Sequence, residues 1–136
     1  LKSIKKINFE RDILGCLVAN DTTCKNIFDR DHHLVRSKSA DGFCHISKFI
    51  ETDFAHKRCE IKGFHNHTLL RLGNSNQMLW DLEKLLKSIT SWMTLEPFDL
   101  VLTGSPSRVR DRIFIKKGDV FTSKIEELDE IKTKYY

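Results

Sequence analysis

Residues 92–109 constrain the fold of this 136-residue chain most, because they contain both of its prolines, Pro97 and Pro106. Pro97 cannot continue a helix, and it favours an extended conformation at the residue before it. The short apolar run at 100–102 is typical of a strand that is buried in a sheet. Residues 103–107 have the composition of a turn. The stretch therefore predicts a helix end, a turn, a buried strand and a polar loop, and such loops often carry binding sites.

A second apolar run, at residues 13–19, shows no alternation with polar residues. Such a run predicts a strand that is covered on both faces. It is followed by Asn20 and Asp21, and a carboxylate at the end of a buried strand is well placed to bind a metal. From the sequence alone, a turn or a helix N-cap is the alternative interpretation of Asp21.

The clearest helix is predicted at residues 78–93, where apolar residues recur at steps of three and four. Ser75 or Asn76 is the expected N-cap. We expect this helix to pack on a strand-rich domain and to contribute to the core. Its apolar face consists of Met78, Leu79, Leu82, Leu85, Leu86, Ile89, Trp92 and Met93.

Four further strands are predicted, at residues 58–64, 68–72, 119–125 and 130–136. The first two flank the turn at 65–67 and form a hairpin. Together with the helix they indicate a mixed α+β, strand-rich fold with one main amphipathic helix. We expect a single domain, because the chain is long enough for one core and too short for two.

Two stretches suggest a metal, but we favour a metal site at neither. His65 and His67 would lie on one face of a strand, yet four-coordinate zinc needs two more ligands that the neighbouring sequence does not supply. In the polar stretch 24–37, a charged surface loop is favoured over a metal motif for Asp29, Asp31, His32 and His33.

The charges are mixed along the chain, with 23 basic and 19 acidic residues and a formal net charge of +4. A nucleic-acid-binding surface should be clustered, so we expect no nucleic-acid partner. No apolar run approaches the length of a membrane span, and no membrane partner is expected. The four cysteines have no C-x-x-C spacing, and the apolar, core-like setting of Cys16 favours reduced thiols in an intracellular compartment.

Several short motifs occur in order along the chain. Residues 93–110 read MTLEPFDLVLTGSPSRVR, and 115–120 read IKKGDV. Earlier, 36–44 read RSKSADGFC and 73–78 read GNSNQM. These motifs resemble the C-terminal part of the fumarylacetoacetate hydrolase family, whose signature is roughly M-T-L-x-P-G-D-x-I-L-T-G-T-P-x-G-V-G. The match is closest to the eukaryotic fumarylacetoacetate hydrolase domain-containing proteins of the second type.

The resemblance implies a β-roll fold and a homodimer. It also implies a magnesium- or calcium-dependent enzyme that acts on 2-oxo or 1,3-diketo acids such as acylpyruvates or oxaloacetate, by hydrolysis, decarboxylation or tautomerisation. Asp21 matches a metal-ligand position, although Lys25, Asn26 and Phe28 replace the arginine, aspartate and glutamine of the family motif that begins at Asn20. Lys38 and Ser105 match catalytic positions, and substrate binding is expected from Lys38, Thr103, Ser105 and Arg108. We expect Asp21 and Lys38 to approach one cavity, with Ser105 on its rim, in a mitochondrial or cytoplasmic protein.

The chain departs from the family pattern in ways that affect the site. The family's Glu-x-Glu metal ligands do not occur in it, so we expect magnesium to bind weakly or not at all. Family glycines are replaced by Phe98, Arg108, Arg110 and Asp129, and the two arginines either bind an acidic substrate or close the pocket. Two hypotheses remain open: an enzyme domain whose N-terminal part lies upstream of Leu1, and a degenerate binding or structural module.

Overall fold

The computed structural model describes residues 7–25, 34–53 and 56–136. The fold is α+β and rich in strands, as the sequence predicts. Its elements in chain order are α1 (Phe9–Asp12), β1 (Ala19–Asp21), α2 (Val35–Lys38), β2 (Cys44–Ile46), β3 (Glu60–His65), β4 (Thr68–Asn74), a 3-10 helix (Ser75–Gln77), α3 (Leu82–Trp92), β5 (Val120–Ile125) and β6 (Glu130–Lys134).

Strands β3 to β6 form a four-stranded antiparallel sheet in the order β4-β3-β5-β6. All four strands were predicted, with bounds that differ from the structure by two residues or fewer at each end. Asn66, with φ of 53°, turns the chain between β3 and β4. A bulge follows Gly63, where an added Cβ would lie 2.9 Å from the Phe121 ring, so this close approach requires a glycine.

Strands β1 and β2 form a separate antiparallel pair. The strand predicted at 13–19 is therefore mostly wrong, because β1 begins only at Ala19 and Cys16 makes a single bridge to Glu51. Only the end of the apolar run is well covered. Val18 is fully buried and its N–H donates to Ser47 Oγ at 3.1 Å, whereas Leu14 is exposed.

Helix α3 begins four residues later than predicted, at Leu82. The cause is Asp81, whose carboxylate accepts the N–H of Lys84 at 2.7 Å and caps the helix. The predicted N-cap at Ser75 or Asn76 is wrong, since these residues lie in the 3-10 helix, which Asn74 caps instead.

The core around α3 is built from loop segments. Leu86 is buried with Ile7 and Leu95, while Phe9, Ile13, Ile89 and Val101 pack against them. Every partner of Leu86 in this cluster outside α3 thus comes from residues 7–13 or 95–101, and none comes from a described strand. The helix is amphipathic as expected, but the described cluster packs it on these segments and not on the sheet.

Residues 93–119 do not form the predicted strand. Leu100 and Leu102 have no strand hydrogen bonding and are 45% and 41% exposed. The segment contacts β4 at residues 106–110, where Val109 N–H donates to the Leu70 carbonyl at 2.9 Å.

Each helix in the described ranges is too short or too polar to cross a lipid bilayer.

Candidate functional site

Asp21 and Lys38 form an ion pair between Oδ2 and Nζ. Asp21 ends β1 and Lys38 ends α2, so each stands where a regular element gives way to a loop. The backbone holds the two elements together: Thr22 N–H donates to the Phe43 carbonyl at 2.9 Å, and Cys24 N–H donates to the Ser37 carbonyl at 3.0 Å. Both charged side chains remain partly open to solvent. A carboxylate and an ammonium group, 17 residues apart in sequence, are thereby presented side by side.

A polar network lies beside this pair and joins the two sheets. The Asn20 side-chain amide donates to Thr133 Oγ1 at 3.1 Å and to the Tyr135 hydroxyl at 3.2 Å. The Tyr135 hydroxyl also lies 2.7 Å from Thr22 Oγ1, and His45 Nδ1 lies 2.9 Å from Thr133 Oγ1. The network therefore fixes the β1 end that carries Asp21. Sequence reasoning missed it, because its members lie more than 80 residues apart.

The loop that contains Thr103 and Ser105 is held against β4. An added Cβ at Gly73 would come within 2.6 Å of Pro106 Cβ, so this contact requires a glycine on the strand. The Arg71 guanidinium donates to the Pro106 carbonyl at 2.7 Å. Thr103 and Ser105 are themselves exposed, and their hydroxyls are free to face a ligand.

Ser105 opens onto a cavity of about 600 Å³ on this side of the sheet. Asp21 and Lys38 do not line that cavity, although they contact each other. The shared cavity expected for Asp21, Lys38 and Ser105 therefore stays a prediction. The cavity is bounded by Arg71, Ser105, Pro106, Ser107, Arg108, Arg110, Asp111 and Arg112.

The donor set for a metal is partial. Among the described residues, no three His, Cys, Asp or Glu side chains lie close enough together to hold a metal ion. Asp21 offers one carboxylate. Magnesium in proteins usually binds one or two carboxylates and keeps several waters, so this single ligand fits magnesium. The pairs Asp29/Asp31 and His32/His33 lie outside the described residues.

His65 makes a contact with a carboxylate in the sheet region. Its Nε2 lies 2.8 Å from Asp119 Oδ2, and the Asn66 side chain donates to the other oxygen at 3.1 Å. The imidazole, the Lys116 N–H and the Asn66 amide lower the pKa of Asp119 to about 2. This carboxylate joins the β3–β4 turn to the start of β5.

The family model for the fumarylacetoacetate (FAA) hydrolase C-terminal region matches residues 2–134. The chain belongs to this family. The mitochondrial oxaloacetate decarboxylase of Dictyostelium discoideum is 41% identical over 101 residues, which cover 68% of this chain and 42% of that protein. The mitochondrial oxaloacetate tautomerase FAHD2B of Bos taurus is 29% identical over 143 aligned residues, covering 96% of this chain and 44% of that protein.

The fold agrees with solved structures of the family. The fumarylacetoacetate hydrolase of psychrophilic Exiguobacterium antarcticum superposes with a TM-score of 0.90 at 25% identity, over 100% of this chain and 52% of that one. The chain spans about half the length of the curated relatives that it matches.

One of the replaced family glycines occupies a conformation that favours glycine. Phe98 has φ of 73° and is highly exposed. Arg108, Arg110 and Asp129 are not among the residues with positive φ, whereas Glu127, two residues before Asp129, has φ of 65°. Among these four positions, backbone strain from the loss of a glycine is therefore expected at Phe98 alone.

Proposed function

We propose that this chain is part of a magnesium-dependent enzyme that acts on 2-oxo or 1,3-diketo acids, with oxaloacetate as the first substrate to test. The observation that carries the proposal is the Asp21–Lys38 ion pair. It places a carboxylate, which can bind a metal ion, next to an ammonium group, which can stabilise the negative charge that develops on an enolate oxygen. The names of the Dictyostelium and bovine relatives support oxaloacetate. Decarboxylation, tautomerisation and acylpyruvate hydrolysis all pass through an enol or enolate, so one site suits all three.

Each residue in the proposed site has a separate task. The Lys38 ammonium donates to the enolate oxygen or to the substrate carboxylate, and partial burial strengthens that interaction. The Ser105 and Thr103 hydroxyls donate to a carboxylate, and Arg108 adds charge for an acidic substrate. Asp21 would hold magnesium, which when bound supplies a Lewis acid for the 2-oxo group. In tautomerisation of the enol to the keto form, the enol O–H proton passes to water and a proton from water joins the carbon, and Lys38 compensates the negative charge of the enolate oxygen between the two transfers.

The test is magnesium-dependent turnover of oxaloacetate and of an acylpyruvate, on this chain and on any longer form that carries a Glu-x-Glu pair. We follow loss of the enol absorbance for tautomerisation, and release of carbon dioxide for decarboxylation. Lys38→Met should lower kcat/KM by about 10²–10³-fold, as expected for loss of an oxyanion donor. Lys87→Met is the matched control, because Lys87 is also a partly exposed lysine in an ion pair, with Glu83 on α3. Equal activity of the two variants would refute the role of Lys38.

Magnesium binding tests Asp21 separately. Because one carboxylate leaves most of the coordination to water, we expect a dissociation constant in the millimolar range or weaker. Calorimetry should show that Asp21→Ala abolishes even this binding. Micromolar binding that survives Asp21→Ala would remove Asp21 from the site, and micromolar binding that Asp21→Ala abolishes would show that the site is more complete than we propose. Asp41 and the Asp29/Asp31 pair are then the first candidates for additional ligands.

The alternative function is a binding or structural module that has kept the fold and lost the reaction. Two observations favour it: Phe98 replaces a family glycine at positive φ, and arginines replace two family glycines beside Ser105. Absence of turnover from every form of the protein, together with intact folding, would decide for this alternative.

We also propose a homodimer in a mitochondrial or cytoplasmic location. Large apolar side chains on segment 93–119 are exposed, and such a surface is suited to burial against a second copy. The mitochondrial descriptions of the two named relatives support the location. Sedimentation of the wild type and of Leu100→Ser/Leu102→Ser tests the dimer, since both should sediment alike if segment 93–119 is not the interface.

A further inference from the structure

Four arginines from two distant parts of the chain line the cavity beside Ser105. Arg71 belongs to β4, and Arg108, Arg110 and Arg112 alternate along the segment that crosses it. Arg71 and Arg108 stand directly opposite each other in an antiparallel bridge. Like charges in that position destabilise the pairing of two strands, so the backbone contact holds together two side chains that repel.

The cavity supplies little negative charge of its own. Asp111 is the single acidic residue of the lining, against the four arginines. Two guanidinium groups donate to backbone carbonyls: Arg71 to Pro106 at 2.7 Å and Arg110 to Leu69 at 3.2 Å. Within the described part of the chain, none of the salt bridges involves these four arginines. Partial burial, followed by repulsion from Arg108 and Arg112, lowers the pKa of Arg71.

We propose that this cavity is a binding site for a small anion that carries at least two phosphate or carboxylate groups. Guanidinium groups bind both kinds of oxyanion in bidentate fashion. Several arginines around one space favour a ligand with more than one charged group, and a volume of about 600 Å³ lies in the range of small-ligand sites. Binding would turn the repulsion between Arg71 and Arg108 into shared attraction to one ligand. The inference rests in part on the proposed function, because Ser105 and Arg108 line this cavity and are also assigned there to the substrate, whereas binding of anions that are not the substrate tests the site without turnover.

Calorimetric titration at fixed, low ionic strength tests the proposal, with inorganic pyrophosphate and citrate as the two probes. The wild type should bind at least one probe with saturation, and the preferred probe tells whether the natural ligand carries phosphate or carboxylate groups. Arg108→Gln/Arg110→Gln should weaken binding by about tenfold or more, because each lost arginine removes charge-assisted hydrogen bonds.

The matched control is Arg58→Gln/Lys117→Gln, which removes the same charge from two exposed residues outside the cavity lining and should bind like the wild type. Thermal unfolding gives a second readout: the preferred probe should raise the Tm of the wild type and of the control, but not that of the cavity variant. If the double cavity variant does not fold, Arg112→Gln serves in its place.

Three results would overturn the site. The first is equal weakening of binding in the cavity variant and the charge-matched control, which would show that binding depends on the net charge of the protein and not on the cavity. The second is absence of saturable binding of both probes. The third is binding of a long single-stranded RNA by the wild type while neither small anion saturates, which would assign the arginines to a polymer instead.

Discussion

The four-stranded sheet and segment 93–119 were both predicted from apolar patterns, and the predictions succeeded only for the sheet. In β3 to β6 every strand has a neighbour within the same chain, and each predicted strand forms. In segment 93–119 no strand forms at 100–102, where Leu100 and Leu102 are exposed and Val101 packs against the core cluster. Alternation therefore predicts a strand when the chain also supplies a neighbouring strand, whereas a short apolar run predicts only that burial is favourable. The experiments below probe where each region gains its stability.

The largest effect is expected at the point where segment 93–119 meets the core. Leu86 is 6% exposed and packs with Leu95 and Ile7. Leu86→Ala should lower the free energy of unfolding by about 2–5 kcal/mol, through lost burial and a residual cavity. Denaturant unfolding measures it, and Leu79→Ala is the control, since Leu79 lies on the same predicted apolar face yet is 96% exposed. A loss under about 0.5 kcal/mol for Leu86→Ala would show that this cluster does not hold the segment in place.

The next effect concerns the sheet region, and in particular its polar link to β1. Thr133 is buried and its hydroxyl contacts both Asn20 and His45. Thr133→Val keeps the shape and the preference for a strand but removes these contacts, so we expect a loss of about 1–2 kcal/mol. Thr68→Val on the exposed end of β4 is the matched control. If both variants unfold alike, the hydroxyl network does not join the two sheets energetically.

The sequence predicted those features whose physical causes are local. The four strands of the sheet and the amphipathic α3 follow from alternation and from three- and four-residue spacing. The start of α3 was missed because the apolar spacing extends back to Met78, although Asp81 is a strong N-cap residue inside that range. At the candidate site, the motifs predicted Asp21, Lys38 and Ser105 one by one. Arg71 was missed because its place opposite Arg108 depends on a long-range backbone bridge, although the alternation of Arg108, Arg110 and Arg112 was a visible signal.

A smaller effect, of opposite sign, is expected inside segment 93–119. Phe98 has φ of 73° and is 89% exposed. Its backbone is therefore strained, and removal of the phenyl ring should cost little packing. Phe98→Gly should raise the free energy of unfolding by about 1 kcal/mol, because glycine adopts positive φ without a Cβ clash. Phe98→Ala is the control, since it removes the ring but keeps Cβ and should give no such gain. Destabilisation by Phe98→Gly would mean that the phenyl ring is covered, and would favour a partner surface on this segment.

The smallest effect lies at the edge of the sheet region and depends on pH. The pKa of Asp119 is about 2 in the folded protein, below its ordinary value of 3.8, first because of its hydrogen bond with His65. A carboxyl whose pKa is lower in the folded state stabilises that state above its unfolded pKa, and this stabilisation is lost as the pH falls towards the folded pKa. The wild type should therefore lose more stability than Asp119→Asn between about pH 4 and pH 2. Asp129→Asn, which makes the same charge change on the exposed β5–β6 turn, should follow the wild type. Thermal unfolding across this range measures the difference, and parallel curves for wild type and Asp119→Asn would show that the His65–Asp119 contact does not stabilise the turn.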